Sequence, residues 1–313
     1  MIGESMDNKL GLIRSEVARI IKGKDDVIVK ILASILAEGH ILMEDIPGVG
    51  KTTLATTFAK TMSLDYHRVQ FTPDVLPSDL LGFSMYDKEK SQFVFRKGAV
   101  FCNLFLADEI NRTSPKTQSA LLEVMEERQA SVEGRTWKLP DPFIVIATQN
   151  PSGASGTQLL PESQMDRFMI RITMGYPAHN DAVEILKNEV WENLDSVSQV
   201  ITLDDLRSLQ EMTKTVPVHD SLYDYMVSIV EKTREHDYFL AGASPRGTIA
   251  LLRMSRAMAV LAGRDFVTAE DVQRVMVDVL GHRVKISTRA AAEGKSVAAC
   301  LKSILLEVNP PRL

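Results

Sequence analysis

Cysteine is scarce: Cys102 and Cys300 are the only two in 313 residues. They are too few for a metal cluster and unlike the paired framework of a secreted domain, so a reducing, cytoplasmic compartment is expected. A basic excess is also missing, since 36 Lys and Arg face 41 Asp and Glu for a net charge of -5. Direct nucleic-acid binding is therefore not expected. No run of eighteen uncharged apolar residues occurs, and the opening MIGESMDNKLGLIRSEV lacks the apolar core of a signal peptide, so membrane insertion is not expected either. Internal repeats and low-complexity tracts are absent as well.

What is present is 45% apolar residues over a length beyond the usual single domain, enough for one large domain and a smaller one. VARIIKGKDDVIVKILASILAEG spaces its apolar residues three and four apart, which predicts two helices around a break at Lys22-Gly23. HILME follows as a buried strand. From there to Pro177, strands (HRVQF, NLFLAD, FIVIAT, FMIRIT) alternate with helices (KTTLATTFAKTM, SPKTQSALLEVMEE). That alternation is the signature of an α/β core with a parallel sheet, here residues 1–177. After Pro177 strand signals vanish, and helices start at Thr202-x-x-Asp205, Ser244-Pro245 and Thr268-x-x-Asp271 and stop at Gly263 and Gly281. An all-helical domain over 178–287 and a C-terminal helix and tail over 288–313 are expected. Two segments, 82–98 and 128–140, have strand-like arms around polar turns and read as inserted hairpins.

The run Asp45-Ile46-Pro47-Gly48-Val49-Gly50-Lys51-Thr52-Thr53 follows a strand and opens a helix. Its backbone N–H groups can converge on phosphate oxygens, with Lys51 on the outer phosphates of ATP and Thr52 ligating Mg2+. The general pattern has Gly where Asp45 stands, so the match is partial. NLFLAD ends in adjacent carboxylates at the strand's carboxyl end, where ligands bind in open parallel sheets. Asp108 is expected in the Mg2+ shell, and Glu109 as the base that polarises the attacking water. Asn150, after the strand FIVIAT, is placed to orient that water or touch the terminal phosphate, although an Asn before Pro151 also reads as a turn residue.

Two arginines stand out. Arg246 lies in the first turn of the helix begun by Ser244-Pro245, where the macrodipole disfavours a cation by roughly 0.3–1 kcal/mol, so a nearby anion is expected. Arg167 follows LPESQMD, and an ion pair with Asp166 or Glu162 is its plain explanation.

In order along the chain, FTPDVLPSDLLG, ADEINRTSPKTQSALLEVMEER, IATQNP, LLPESQMDRF and GASPRG resemble the hallmark blocks of AAA+ ATPases, specifically the MoxR group of the helix-2-insert branch. The resemblance implies that Gly48 to Thr53 are Walker A and that Asp108 and Glu109 are Walker B. It makes Asn150 sensor 1, Arg246 a sensor 2 reaching the phosphate of its own subunit, and Arg167 an arginine finger reaching a neighbour's site. Gln70 corresponds to a polar switch residue for Glu109. Lys22 and Gly23 join Asp45 to Thr53 among the nucleotide-contacting residues. A finger supplied in trans implies a nucleotide-dependent homo-oligomer, a hexameric ring whose hairpins face the pore. Family members act as chaperone-like motors that assemble or activate other proteins, alongside partners bearing von Willebrand factor A domains.

Rival readings are separable. A nucleic-acid translocase of this branch carries an added domain, and about forty residues precede the loop here. An enhancer-binding activator carries a Gly-Ala-Phe-Thr-Gly-Ala loop, which is absent. A magnesium-chelatase-like motor subunit shares branch and partner type. A nucleotide-gated binding module with little turnover predicts loss of Glu109 or of the arginine finger, and both positions are filled.

Overall fold

The computed structural model of the chain describes residues 2–150, 160–188 and 194–311. Pro151 and Leu159, at the ends of two of the blocks quoted above, lie outside them. Helices α1 (Ile2–Ile20) and α2 (Asp25–Leu36) precede strand β1 (Ile41–Glu44) and helix α3 (Lys51–Thr61). There follow β2 (Tyr66–Gln70), α4 (Pro77–Leu81), β3 (Gly82–Asp87), β4 (Gln92–Lys97), β5 (Leu104–Asp108) and α5 (Pro115–Glu127). Next come β6 (Gln129–Val132), β7 (Arg135–Lys138), β8 (Ile144–Gln149), α6 (Glu162–Met165) and β9 (Ile170–Ile172). The sheet is five-stranded in the order β2-β5-β8-β1-β9, with every pairing parallel.

The central strands explain the sheet's burial. Every residue of β5 and β8 is buried, as expected where helices cover both faces of a parallel sheet. Because side chains alternate across a strand, the central strands β1, β5 and β8 each feed two cores. Leu104, Leu106, Ile144, Ile146, Ile41 and Ile170 face one cluster with α1, α2, α3 and the later helices. Phe105, Ala107, Val145, Ala147 and Leu42 face the other, with Phe71, Leu80, Leu121 and Phe143. Truncating a residue such as Leu106 to Ala would cost about 2–5 kcal/mol.

Two antiparallel ribbons project from this core. β3 pairs with β4 from Gly82↔Lys97 to Asp87↔Gln92, and β6 pairs with β7 from Gln129↔Lys138 to Val132↔Arg135. They touch through Phe95 and Trp137, whose rings stack with centroids 4.3 Å apart.

Beyond the sheet lie α7 (His179–Asn188), α8 (Leu203–Thr215), α9 (Asp220–Glu235), β10 (Phe239–Ala241), α10 (Pro245–Leu261), α11 (Ala269–Leu280), β11 (Lys285–Ile286), α12 (Thr288–Ala292) and α13 (Val297–Glu307). This is a helical lid on an α/β core. Thr202 opens a helix with a reciprocal capping box to Asp205, and at Thr268 the Asp271 carboxylate accepts both the backbone N–H and the hydroxyl of Thr268, which satisfies a backbone donor at the helix start. One expectation needs correction: strands do not vanish after Pro177, because β10 and β11 form a short antiparallel ribbon. The lid packs tightly on the core, with α10 against α2 and α11 against β9. Lys30 of α2 pairs with Asp278 of α11 at 2.8 Å, and the Gln210 amide donates to the Ile35 carbonyl at 2.8 Å. Among the described residues, no helix is long and apolar enough to cross a membrane.

Candidate nucleotide site

The turn between β1 and α3 builds one wall of a cavity of about 350 Å³. Gly48 and Gly50 take φ of 83° and 93°, left-handed values that cost a glycine little. A Cβ at Gly48 would meet no atom within 4 Å, so the loop faces open space. Gly50 caps α3 without any side-chain hydrogen bond, which leaves the helix's first N–H groups available to an anion. Pro47, Gly48, Gly50, Lys51, Thr52 and Thr53 line the cavity, whereas Asp45, Ile46 and Val49 do not. Val49 is 7% exposed and belongs to the core. The Lys51 ammonium donates to the Asp45 and Ile46 carbonyls at 2.8 and 3.2 Å. Burial lowers its pKa below that of a free lysine, against the opposing pull of Asp45, Asp108 and Glu109.

Asp45 occupies the position of the pattern's first glycine for a structural reason. Its carboxylate is buried, at 4% exposure, and accepts the backbone N–H of Met174, of Gly175 at 3.0 Å and of Ile46 at 3.2 Å. The start of the loop is thereby tied to the chain leaving β9, a bond set that glycine could not supply.

The opposite wall comes from the carboxyl ends of β2, β5 and β8. Asp108 accepts the Thr148 hydroxyl at 2.6 Å on one oxygen and an Arg68 N–H at 2.7 Å on the other. Glu109 has φ 58°, an uncommon value for a residue with a side chain and a frequent mark of functional sites. Its backbone N–H donates to the Thr148 hydroxyl at 2.8 Å. Its carboxylate accepts Asn150 at 2.8 Å, Arg112 at 2.7 Å and Gln70 at 3.3 Å. Burial raises the Glu109 pKa, but hydrogen bonds from Arg112, Asn150 and Gln70 outweigh it and hold the group below the ordinary carboxylate value. At neutral pH it is therefore an ionised acceptor. Arg68 and Arg112 were not singled out from the sequence. The available signals were the two-residue spacing of Arg68 and Gln70 on one strand face and the three-residue spacing of Glu109 and Arg112.

Other expected residues lie elsewhere. Lys22 pairs with Glu184 at 3.7 Å, and Gly23, with φ 66°, packs so close to Asp181 that a Cβ would overlap it. Neither lines the cavity, although Lys24 donates to the Tyr176 carbonyl next to the segment that Asp45 anchors. Arg167 donates to the Leu122 carbonyl at 2.5 Å and pairs with Glu126 at 3.2 Å. Its partner is thus Glu126, not the sequence neighbours Asp166 or Glu162. Arg246 pairs with the same Glu126, so in this structure its anion is a carboxylate of α5. The first turn of α10 sits beside the end of α5, in a separate cavity of about 400 Å³ lined by Arg128, Arg167, Arg246, Arg253 and Arg283 among others.

The cavity between Gly48 and Asp108 suits a polyphosphate with a hard cation: backbone donors and Lys51 on one side, and the oxygen donors Thr52 and Asp108 for Mg2+. This is the arrangement expected of a P-loop ATPase. Comparison with known families agrees, since the ATPase family associated with various cellular activities (AAA) matches residues 40–170 and the AAA lid domain matches residues 231–304. The chain is 43% identical over 309 residues to "Uncharacterized protein YeaC" of Bacillus subtilis, covering 98% of this chain and 97% of that protein. It is 39% identical over 307 residues to "Chaperone MoxR1" of Mycobacterium tuberculosis, covering 95% of this chain and 81% of that protein. A solved structure from Cytophaga hutchinsonii superposes with a TM-score of 0.92 at 39% identity, covering 99% of this chain and 97% of the other. The chain belongs to the MoxR family of AAA+ ATPases.

Proposed function

We propose that the chain hydrolyses ATP to ADP and phosphate at seams between copies of itself, in a nucleotide-dependent ring of six. One observation carries this reading. The cavity with the phosphate loop, Asp108, Glu109 and Asn150 contains neither Arg167 nor Arg246, and these two share a second cavity built on Glu126. We therefore assign both arginines to the site of the neighbouring copy, where they would meet the terminal phosphate.

In this reading Gly48 to Thr53 hold the phosphates, with Lys51 on the outer ones, and Thr52 and Asp108 would hold Mg2+, which supplies charge neutralisation when bound. Glu109 takes a proton as water oxygen bonds to the γ-phosphorus and the bond to the bridging oxygen breaks, releasing ADP. Asn150 and Gln70 hold the Glu109 carboxylate, and Lys22 and Gly23 would contact the nucleotide from outside the phosphate cavity. We divide the chain into a core over 1–177, a lid over 178–287 and a tail over 288–313. The ribbons β3–β4 and β6–β7 line the ring's pore and couple hydrolysis to remodelling of a partner complex, with a von Willebrand factor A domain protein as its client, in the cytoplasm. Exposed Phe83, Tyr86 and Phe93 on the first ribbon support such a contact role.

The test is steady-state ATPase across protein concentration. Wild type should gain specific activity as it assembles, and Glu109→Gln should fall by about 100-fold or more while still binding ATP. Wild-type turnover no higher than that of Glu109→Gln at assembling concentrations would defeat the proposal.

A further inference from the structure

Arg68 lines the phosphate cavity yet has no place in the roles assigned above. It belongs to β2, directly beside β5, with Arg68 opposite Leu106 and Gln70 opposite Asp108. Two residues apart on a strand, Arg68 and Gln70 share one face. From that face Gln70 reaches Glu109 at 3.3 Å and Arg68 reaches Asp108 at 2.7 Å. The Arg68 side chain stays 42% exposed. Only one of its terminal nitrogens is engaged among the described residues, which leaves further guanidinium donors open to the cavity.

We propose, building on the ATPase reading above, that Arg68 is a binding residue for the terminal phosphate of ATP, supplied by the subunit that owns the phosphate loop. The argument is one of charge and position. Asp108 has both carboxylate oxygens engaged, by the Thr148 hydroxyl and by Arg68. A divalent cation held at Asp108 makes the Arg68 charge redundant there. A guanidinium so released is still inside the cavity, where its planar fork matches phosphate oxygens. The end of the cavity it occupies is that of Glu109 and Gln70. A carboxylate that activates water for attack on the γ-phosphorus must stand beside the terminal phosphoryl group, so Arg68 lies at the γ end, away from the base.

The contact discriminates between nucleotides, because ADP lacks the group it holds. Isothermal titration of the full chain carrying Glu109→Gln, which prevents turnover, with ATP and with ADP in Mg2+ reads it directly. Adding Arg68→Ala should weaken ATP by about tenfold or more, the usual scale for a lost charged hydrogen bond, and ADP by less than about twofold. Arg68→Lys should fall between, since it keeps the charge and loses the fork. Retained ADP affinity also shows that the variant folds. Equal weakening of both nucleotides, or of neither, overturns the proposal by reducing Arg68 to a support for Asp108 or a bystander. Failure of the parent Glu109→Gln chain to bind either nucleotide would instead sink the ATPase reading itself, and this proposal with it.

Discussion

Two chains, each disabled in a different half of the site, should restore hydrolysis when mixed. Arg167 and Arg246 converge on Glu126 in a cavity separate from that of Gly48, Lys51 and Glu109. If each active seam takes its loop from one copy and its arginines from the next, Arg167→Ala alone should lose about 10³–10⁵ in turnover. Glu109→Gln alone should be similarly silent. In an equal mixture that exchanges subunits at random, about a quarter of head-to-tail seams pair an intact loop from the first variant with intact arginines from the second. Roughly a quarter of wild-type ATPase should therefore return, far above the sum of the parts. The same experiment with Arg246→Ala separates the two placements of that residue. If Arg246 served its own subunit's phosphate, every seam would lack either Arg246 or Glu109, and no activity would return. Placed in trans, it should complement like Arg167→Ala. Phosphate release from matched protein totals gives the answer, after preincubation with ATP and Mg2+ to allow exchange. A mixture no more active than the average of its components would refute the split-site argument for the arginine tested.

Three further outcomes follow from single contacts. His40 is buried, its Nε2 facing the Met125 carbonyl at 2.9 Å while its Nδ1 accepts the Val145 N–H at 3.0 Å, and burial lowers its pKa from 6.5 to about 4. The unfolded chain binds this proton below 6.5 and the folded chain only near 4, so stability should drop as pH is lowered through that window, by about 2 kcal/mol at pH 5 relative to pH 7. Urea midpoints that stay flat over that range would contradict it. Asp45→Gly, which restores the general loop pattern, should lower stability by about 2–3 kcal/mol by freeing the Met174 and Gly175 N–H groups. It should also weaken ATP binding, and calorimetry with titration showing neither change would disprove the anchoring role. Asn150→Ala removes one donor to Glu109, so it should reduce turnover by about tenfold or more with little change in ATP affinity. An equal loss in affinity would place Asn150 on the ground-state nucleotide instead.

The fold class was legible because its strongest signals are long and local. NLFLAD and FIVIAT are continuous apolar runs, and such runs belong to strands covered on both faces, where β5 and β8 are found. The helix-start pairs of Thr202 with Asp205 and of Thr268 with Asp271 are equally local. The ribbon β10–β11 was not legible, since a three-residue and a two-residue strand carry no period and exist only because the tertiary fold brings them together. Within the site, the loop and the paired carboxylates are contiguous motifs, so their proximity could be expected. Glu126 lies 120 residues from Arg246, and Asp108 lies 40 from Arg68. No spacing rule reaches that far, so those ion pairs became visible only in three dimensions.

Electrostatics gives the strongest physical reason for two cavities to act as halves of one site. The phosphate cavity is lined by Lys51 and Arg68 against Asp108 and Glu109, so it is already balanced before any nucleotide enters. ATP keeps a net negative charge even with one divalent cation bound, and this balanced pocket has no surplus cation to offset it. The second cavity has that surplus: among the described residues that line it, Arg128, Arg167, Arg246, Arg253 and Arg283 stand against Glu38, Glu126 and Asp166, while burial holds His40 neutral near pH 7. Part of the excess is also loosely held. Arg283 is bound into the structure by Asp166 and by the Phe168 and Met169 carbonyls, whereas Arg246 is 51% exposed and, among the described residues, shares one carboxylate partner with Arg167. One carboxylate between two guanidiniums is a weak hold, since exposed ion pairs contribute about 0–1 kcal/mol. A phosphoryl group arriving on a neighbouring copy offers more acceptor oxygens in a drier seam, and both arginines should leave Glu126 for it. In the proposed ring, complete charge balance would be reached only between copies, which would couple assembly to hydrolysis.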